Sequence, residues 1–378
     1  MKEKPHCLMP FIHYHVSNNG LAKACCVANI TYGDVNTQSL EEIWNGEAIN
    51  ELRSKFSQNE IDGRCFVCHK IEASGGESIR LETFNKFDYH TININPRLPI
   101  YFDIRFSNVC NFRCRTCWHG ASSKWFNDAK SLNTNIGQQA IIKNIHDLDA
   151  FINSSGEALL GAEEFYFAGG EPLVTEEHYK LLEWLIQNNA TKSRLRYNTN
   201  FSKLLFRDYN LIDLWSHFKE IELLASIDAS NTLGEYIRKD MDWQVILENR
   251  KLIESYPFIK FKIAPTVSVL NVFQIPELYE ECLQLNMIGA NDLYINILER
   301  PSYYNIQILP KDLKLKVTEK YLSHMNTNKP EQINKAFQSI LDYMMEEDQS
   351  DLYKLYLEKN GKLDSLRKEQ LPSSWADM

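Results

Sequence analysis

The chain has 378 residues, a hydrophobic share of 44% and a formal charge of −9, an ordinary globular composition with room for one large domain or two to three smaller ones. That negative balance argues against a general nucleic-acid binder, which needs clustered Lys and Arg to neutralise phosphate. No apolar run is long enough to span a bilayer, and MKEKPHCLMP lacks the apolar core of a signal peptide, so a cytoplasmic protein is expected.

In chain order, residues 1–72 are turn-rich. SNNG and ITYGD read as hairpin punctuation, and SLEEIWNGEAINELRSKF reads as a helix opened by Ser39 and Glu42 at capping-box spacing. The segment closes at RCFVCHK. Residues 73–97, with SGGES and NPRLP, read as a polar linker. From 98 to 300, short apolar runs alternate with helical patterns. The strands are expected at IYFDIRFS (100–107), EFYFA (164–168), RLRYN (194–198), EIELLASI (220–227), IKFKIAPTVSV (259–269) and DLYINIL (292–298). EEHYKLLEWLIQNN and WQVILENRKLIESY are two of the helices between them. This alternation predicts a parallel α/β architecture, and about six units suit an open, partial barrel better than a closed one of eight. Chemistry in such barrels sits at the carboxyl ends of the strands. Residues 301–378 read as helices with charged faces that pack on the barrel or close its mouth.

The nine cysteines are unevenly spread: Cys7, Cys25, Cys26, Cys65 and Cys68, then Cys110, Cys114 and Cys117, then Cys282 alone. In a reducing compartment such clustering points to metal and not to disulfides. NVCNFRCRTCWHG supplies three thiols directly after the first barrel strand, whereas structural zinc and electron-transfer iron–sulfur clusters take four ligands. Three thiolates leave one position open to a ligand that reacts. Two other readings stand at this point: a zinc knuckle completed by His119, and buried structural thiols. Cys282, in ELYEECLQL, reads as an inert thiol on a helix.

The C-x3-C-x2-C spacing of CNFRCRTC resembles the signature of the radical S-adenosylmethionine (SAM) superfamily. The resemblance implies a [4Fe–4S] cluster on Cys110, Cys114 and Cys117, its open iron chelated by the amino and carboxylate groups of SAM. Thr116 stands where the family often has an aromatic residue. FAGGEP, ending the second barrel strand, resembles the family's Gly-Gly-Glu-Pro element, which places Gly169, Gly170 and Glu171 at the SAM amino group; the glycines let backbone approach without a Cβ. By the same resemblance Asn198, Asn200, Ser226 and Asp228 would hold the ribose and methionine. Arg238 would fork onto the carboxylate, and Val267, Val269 and Asn271 would lie by the adenine.

Cys7, Cys25, Cys65 and Cys68, in the order C…G…CC…SLEEIW…C-x2-C, resemble the twitch domain, a shorter relative of the SPASM domain that carries an auxiliary [4Fe–4S] cluster. Cys25 is preferred to Cys26 because it starts the pair, and zinc on four cysteines is the rival occupant. Twitch domains usually follow the barrel; this one precedes it. The implied organisation is a twitch-type α+β domain (1–72), a linker (73–97), a partial (β/α)6 radical SAM barrel (98–300) and a helical C-terminal extension (301–378). The implied activity is reductive cleavage of SAM to a 5′-deoxyadenosyl radical that abstracts hydrogen from a peptide or small molecule, the auxiliary cluster serving electron transfer. A one-electron donor such as a flavodoxin or ferredoxin would be its partner. The rival from another class is a noncatalytic iron–sulfur or zinc protein on the same scaffold.

Overall fold

A tight reversal at SNNG, with Gly20 at φ +75°, turns β1 (His13–Val16) antiparallel onto β2 (Leu21–Lys23). This is a computed structural model, which describes residues 5–73, 76–88, 97–134, 136–327 and 329–372. ITYGD, expected as a turn, instead forms β3 (Thr31–Asp34), antiparallel to β2. Thr31 and Tyr32 suit a strand, and the reversal falls just after it, where Asp34 Oδ1 accepts the Asn36 N–H at 2.9 Å. The long helix expected next is two helices, Leu40–Trp44 and Glu47–Ser57, broken at Asn45 and Gly46. Both reciprocal bonds of the Ser39–Glu42 capping box form.

Two compact units make up the chain. In unit 1 (Met1–Val109, Ile141–Tyr197, Phe206–Ile221), β1 pairs in parallel with β4 (Tyr101–Ile104). β4 in turn pairs in parallel with β5 (Glu164–Phe167), and β5 with β6 (Arg194–Thr199). The strand order there is β6-β5-β4-β1-β2-β3. The cysteine-bearing N-terminal segment therefore donates a strand to the sheet that holds the first barrel strand. Within 73–97, residues 74–75 and 89–96 lie outside the described residues, and between them Ser78 caps a helix, Ile79–Lys86. Helices Leu148–Leu160 and Glu176–Gln187 each bury an apolar stripe, including Phe151 and Ile152, and Leu181, Leu182 and Leu185. A short ribbon, β7 (Leu205–Phe206) with β8 (Tyr209–Asn210), follows β6.

Unit 2 (Cys110–Ala140, Asn198–Leu205, Glu222–Met378) carries most of β9 (Glu220–Ala225) and β10 (Ile259–Ile263). The Ser226 N–H donates to Thr199 O at the end of β6 (2.8 Å), and Ala264 N–H to Ala225 O at the end of β9 (2.7 Å). The run expected as one strand over 259–269 breaks at Pro265, which has no N–H for a ladder, and resumes as β11 (Thr266–Val267). DLYINIL yields only β12 (Asn296–Ile297), parallel to β11. The C-terminal residues form helices Lys311–Met325, Glu331–Glu346 and Tyr353–Arg367. Among the described residues no helix is long and apolar enough to cross a membrane.

Candidate active site and metal centres

Cys110, Cys114 and Cys117 sit half-buried in an irregular loop of unit 2. Backbone bonds fix its course: Arg113 N–H to Lys239 O at 3.1 Å and Arg115 N–H to Ile237 O at 2.7 Å. The indole of Trp125 donates to Cys114 O at 2.7 Å. Arg238 lies between these anchors. Its guanidinium forks onto Asp228 at 2.8 and 3.0 Å and turns Nη1 toward Cys114 Sγ at 3.8 Å. The fork expected on the SAM carboxylate thus rests on Asp228, whose Oδ1 also accepts the Thr266 N–H at 2.7 Å. Burial pushes the Cys117 thiol up to about 12 and raises Cys114, where the Arg238 cation pulls the other way. Loading metal would therefore release protons.

The remaining expected contacts fall at strand ends of the same unit. Asn200 donates to Asn111 Oδ1 (2.9 Å), Asn111 to Ser202 Oγ (2.8 Å) and Ser202 to Asn200 Oδ1 (2.7 Å), a ring that ties the end of β6 to the cysteine loop. Asn198 Oδ1 is buried without a hydrogen-bond partner among the described residues, and Ser226 is half-buried. Val267, Val269 and Asn271 are fully buried, and the Asn271 amide donates to Asp228 O and Thr266 O at 2.8 and 3.1 Å. His119 is buried beside the Phe126 ring, while Trp118 is exposed. Cys282 is buried in the helix Ile275–Gln284, its thiol pushed up to about 12 by burial.

Sequence reasoning missed the clamp on this loop. Arg115, between two of the cysteines, is fully buried against the Tyr236 ring at 3.6 Å. It donates to Tyr236 O (2.9 Å), Asn360 Oδ1 (3.1 Å) and Glu369 Oε2 (2.5 Å), and pairs with Asp364 Oδ1 at 2.6 Å. Arg367 lies over Trp125 at 4.7 Å, pairs with Asp128 and donates to Arg113 O at 2.8 Å. The last helix, Tyr353–Arg367, thus braces the cysteine loop from both sides of Cys114. The one available signal was an arginine inside the motif whose type no ligation required.

FAGGEP lies in unit 1 at the carboxyl end of β5. Gly169 has φ +89°, and a Cβ there would come 2.9 Å from Arg105 Cβ; at Gly170 a Cβ would meet Val109 O at 2.1 Å. Only glycine permits so close a backbone approach. The Glu171 N–H donates to Val109 O at 2.7 Å, and Val109 is the residue before Cys110 in the chain. The Glu171 side chain is buried, with Oε1 accepting the Leu173 N–H at 3.0 Å.

The N-terminal thiols meet in unit 1. Cys7, Cys25, Cys65 and Cys68 line one cavity, together with His6, His69 and Arg80. Cys26 does not line it and is exposed. Burial pushes Cys7 up to about 12 and Cys65 up to about 11, and raises Cys25 and Cys68. Among the described residues, no three His, Cys, Asp or Glu side chains are grouped as a single metal ion would need. Four thiols spaced around a cavity suit a cluster with a metal at each corner.

A second feature of unit 1 was also missed. Parallel strands are usually apolar on both faces, yet β1, β4, β5 and β6 alternate. Tyr14, Val16, Phe102, Ile104, Phe165, Phe167, Leu195 and Tyr197 form one face, all buried. The register lines up two rows on the other: His13, Tyr101, Glu164, Arg194, and then His15, Asp103, Tyr166, Arg196. Nearest the carboxyl ends, His15 Nδ1 lies 2.8 Å from Asp103 Oδ2, with Arg105 Nε 3.6 Å from Oδ1. Burial pushes the Asp103 carboxyl up, but the neighbouring His15 and Arg105 outweigh it and hold the group well below the carboxylate range. Burial lowers His13 to about 4, so it is neutral, with Nδ1 on Ala24 O at 3.1 Å. Helix Ile79–Lys86 reaches both rows, Lys86 pairing with Glu164 and Glu82 with Arg196. The signal was period-two polarity: HYH, YFDIR, EFY and RLRYN.

Residues 7–69 match a family model described as SPASM, an iron–sulfur cluster-binding domain. Among the curated proteins nothing matches. Of the solved structures, the chain is similar to native anSMEcpe with bound AdoMet at 18% identity and a TM-score of 0.43, covering 65% of this chain and 62% of that one. It is also similar to native anSMEcpe with bound AdoMet and a Kp18Cys peptide, at 18% identity and a TM-score of 0.41, covering 61% and 62%. The alignments span about three fifths of those chains.

Proposed function

We propose, from the premise that residues 7–69 form a SPASM-type iron–sulfur cluster-binding domain, that the chain is a radical SAM enzyme acting on a peptide or a small polar molecule in the cytoplasm. The observation that carries this reading is the backbone bond from Glu171 of the Gly-Gly-Glu-Pro turn to Val109, directly before the cysteine triad. It couples the two motifs through the chain.

In this reading Cys110, Cys114 and Cys117 hold a [4Fe–4S] cluster that, when bound, supplies the electron for SAM cleavage and so the radical that takes hydrogen from the substrate. Gly169 and Gly170 keep the backbone clear of side chains beside the SAM amino group, and Glu171 offers it a carboxylate. Arg238, held by Asp228, keeps a cation beside Cys114 and faces the SAM carboxylate; Asn198, Asn200 and Ser226 supply polar contacts along the methionine and ribose. His15, oriented by Asp103, is the proton acceptor of the reaction. Cys7, Cys25, Cys65 and Cys68 hold the auxiliary [4Fe–4S] cluster, and a flavodoxin or ferredoxin delivers single electrons. The last helix keeps the cysteine loop in place.

The test is anaerobic incubation with reductant and SAM, reading methionine and 5′-deoxyadenosine by chromatography. Glu171→Ala should weaken SAM binding roughly tenfold or more, the size of a lost hydrogen bond to a charged group, with iron content unchanged. Arg238→Lys should also weaken it, because a point charge cannot fork onto Asp228. Fully loaded protein that cleaves no SAM would favour the noncatalytic iron–sulfur reading, and zinc in place of iron would favour the zinc one.

A further inference from the structure

The wall of the N-terminal cavity is completed by residues beyond the matched 7–69 segment, and those residues carry charge. Arg80, in the first turn of helix Ile79–Lys86, lines the cavity with the four thiols. Its Nη1 donates to His6 O at 2.8 Å, and its Nε and Nη2 fork onto the Glu72 carboxylate, with the Nε bond at 3.0 Å. The Ser78 hydroxyl donates to the same Glu72 carboxylate. The wall shared with the thiols thus carries the cationic end of the Arg80–Glu72 pair. A cluster gains negative charge on reduction, and net charge and hydrogen bonds to its sulfurs are among the determinants of its potential.

We propose that Arg80 and Glu72 set the reduction potential of the cluster held by Cys7, Cys25, Cys65 and Cys68, with Arg80 raising it and Glu72 lowering it. The inference rests on the four-cysteine cluster proposed above. Its consequence is a direction of flow. Once the substrate has lost a hydrogen atom, its remaining radical gives one electron to this cluster, which is reduced by one, and one proton to the His15–Asp103 pair. Arg80 favours that acceptance; Glu72 keeps the reduced cluster able to pass the electron on.

The experiment is an anaerobic redox titration of the full chain, followed by electron paramagnetic resonance, with iron measured on each sample. Arg80→Met should move the midpoint of the SAM-indifferent signal to more negative potential by about 59 mV or more, a tenfold change for one electron. Glu72→Gln should move it to more positive potential. If Arg80→Met loses the N-terminal iron, the Glu72→Gln titration decides. Midpoints unchanged in the iron-replete variants, or moving in the same direction for Arg80→Met and Glu72→Gln, would overturn the tuning role. Wild-type protein with zinc, or without a SAM-indifferent signal, would instead overturn the cluster reading beneath it.

Discussion

Replacing Cys110, Cys114 and Cys117 together by Ala is expected to remove about half of the iron, about four of about eight atoms per chain for two cubane clusters, and to abolish reductive SAM cleavage. The N-terminal iron should stay, because Cys7, Cys25, Cys65 and Cys68 line their own cavity in unit 1. Within that cavity Cys25→Ala should lose the other half, whereas Cys26→Ala should keep it, since Cys26 does not line the cavity. Iron analysis after anaerobic purification measures all three. Complete iron loss from the triple variant would mean that the two sites do not load independently.

Arg115→Met should cost ~3–5 kcal/mol of stability, the range for removing one partner of a buried ion pair. Arg115 is fully buried, and its loss leaves the largely shielded Asp364 without its cation and Glu369 with Lys239 alone. The loop between Cys110 and Cys117 should then lose its brace, so that the SAM-responsive cluster assembles poorly while the N-terminal one assembles normally. Denaturant unfolding and iron content read the two effects separately. A stable variant with full iron would show that the last helix is not needed to hold the loop.

What could be read from the sequence was what neighbours in the chain decide. The Ser39–Glu42 cap formed because its partners are three residues apart, and helices Glu176–Gln187 and Trp243–Ile253 formed where apolar spacing placed them. The Gly-Gly-Glu-Pro turn lies where the second barrel strand ends, because a strand feeding a glycine pair has little choice. What could not be read were pairings between distant segments. HYHV alternates as a strand should, but nothing local says that it joins β4 in parallel, with His15 opposite Asp103. Arg115 meets Asn360 and Glu369 across 245 and 254 residues, a separation that no periodicity reports. The polar inner face was visible as alternation, yet its meaning depended on a register that only the folded sheet supplies. The helix Ile79–Lys86 was hidden by its glycine- and serine-rich approach, which reads as linker until Ser78 is seen to cap it.

The most direct test of the central claim, an open-iron cluster on Cys110, Cys114 and Cys117 beside a closed one at the N-terminus, is the electron paramagnetic resonance spectrum of the anaerobically reduced protein with and without SAM. Two reduced-cluster signals are predicted, one changing when SAM is added and one indifferent to it. A spectrum in which no signal responds to SAM, from protein carrying its full iron, would contradict the account.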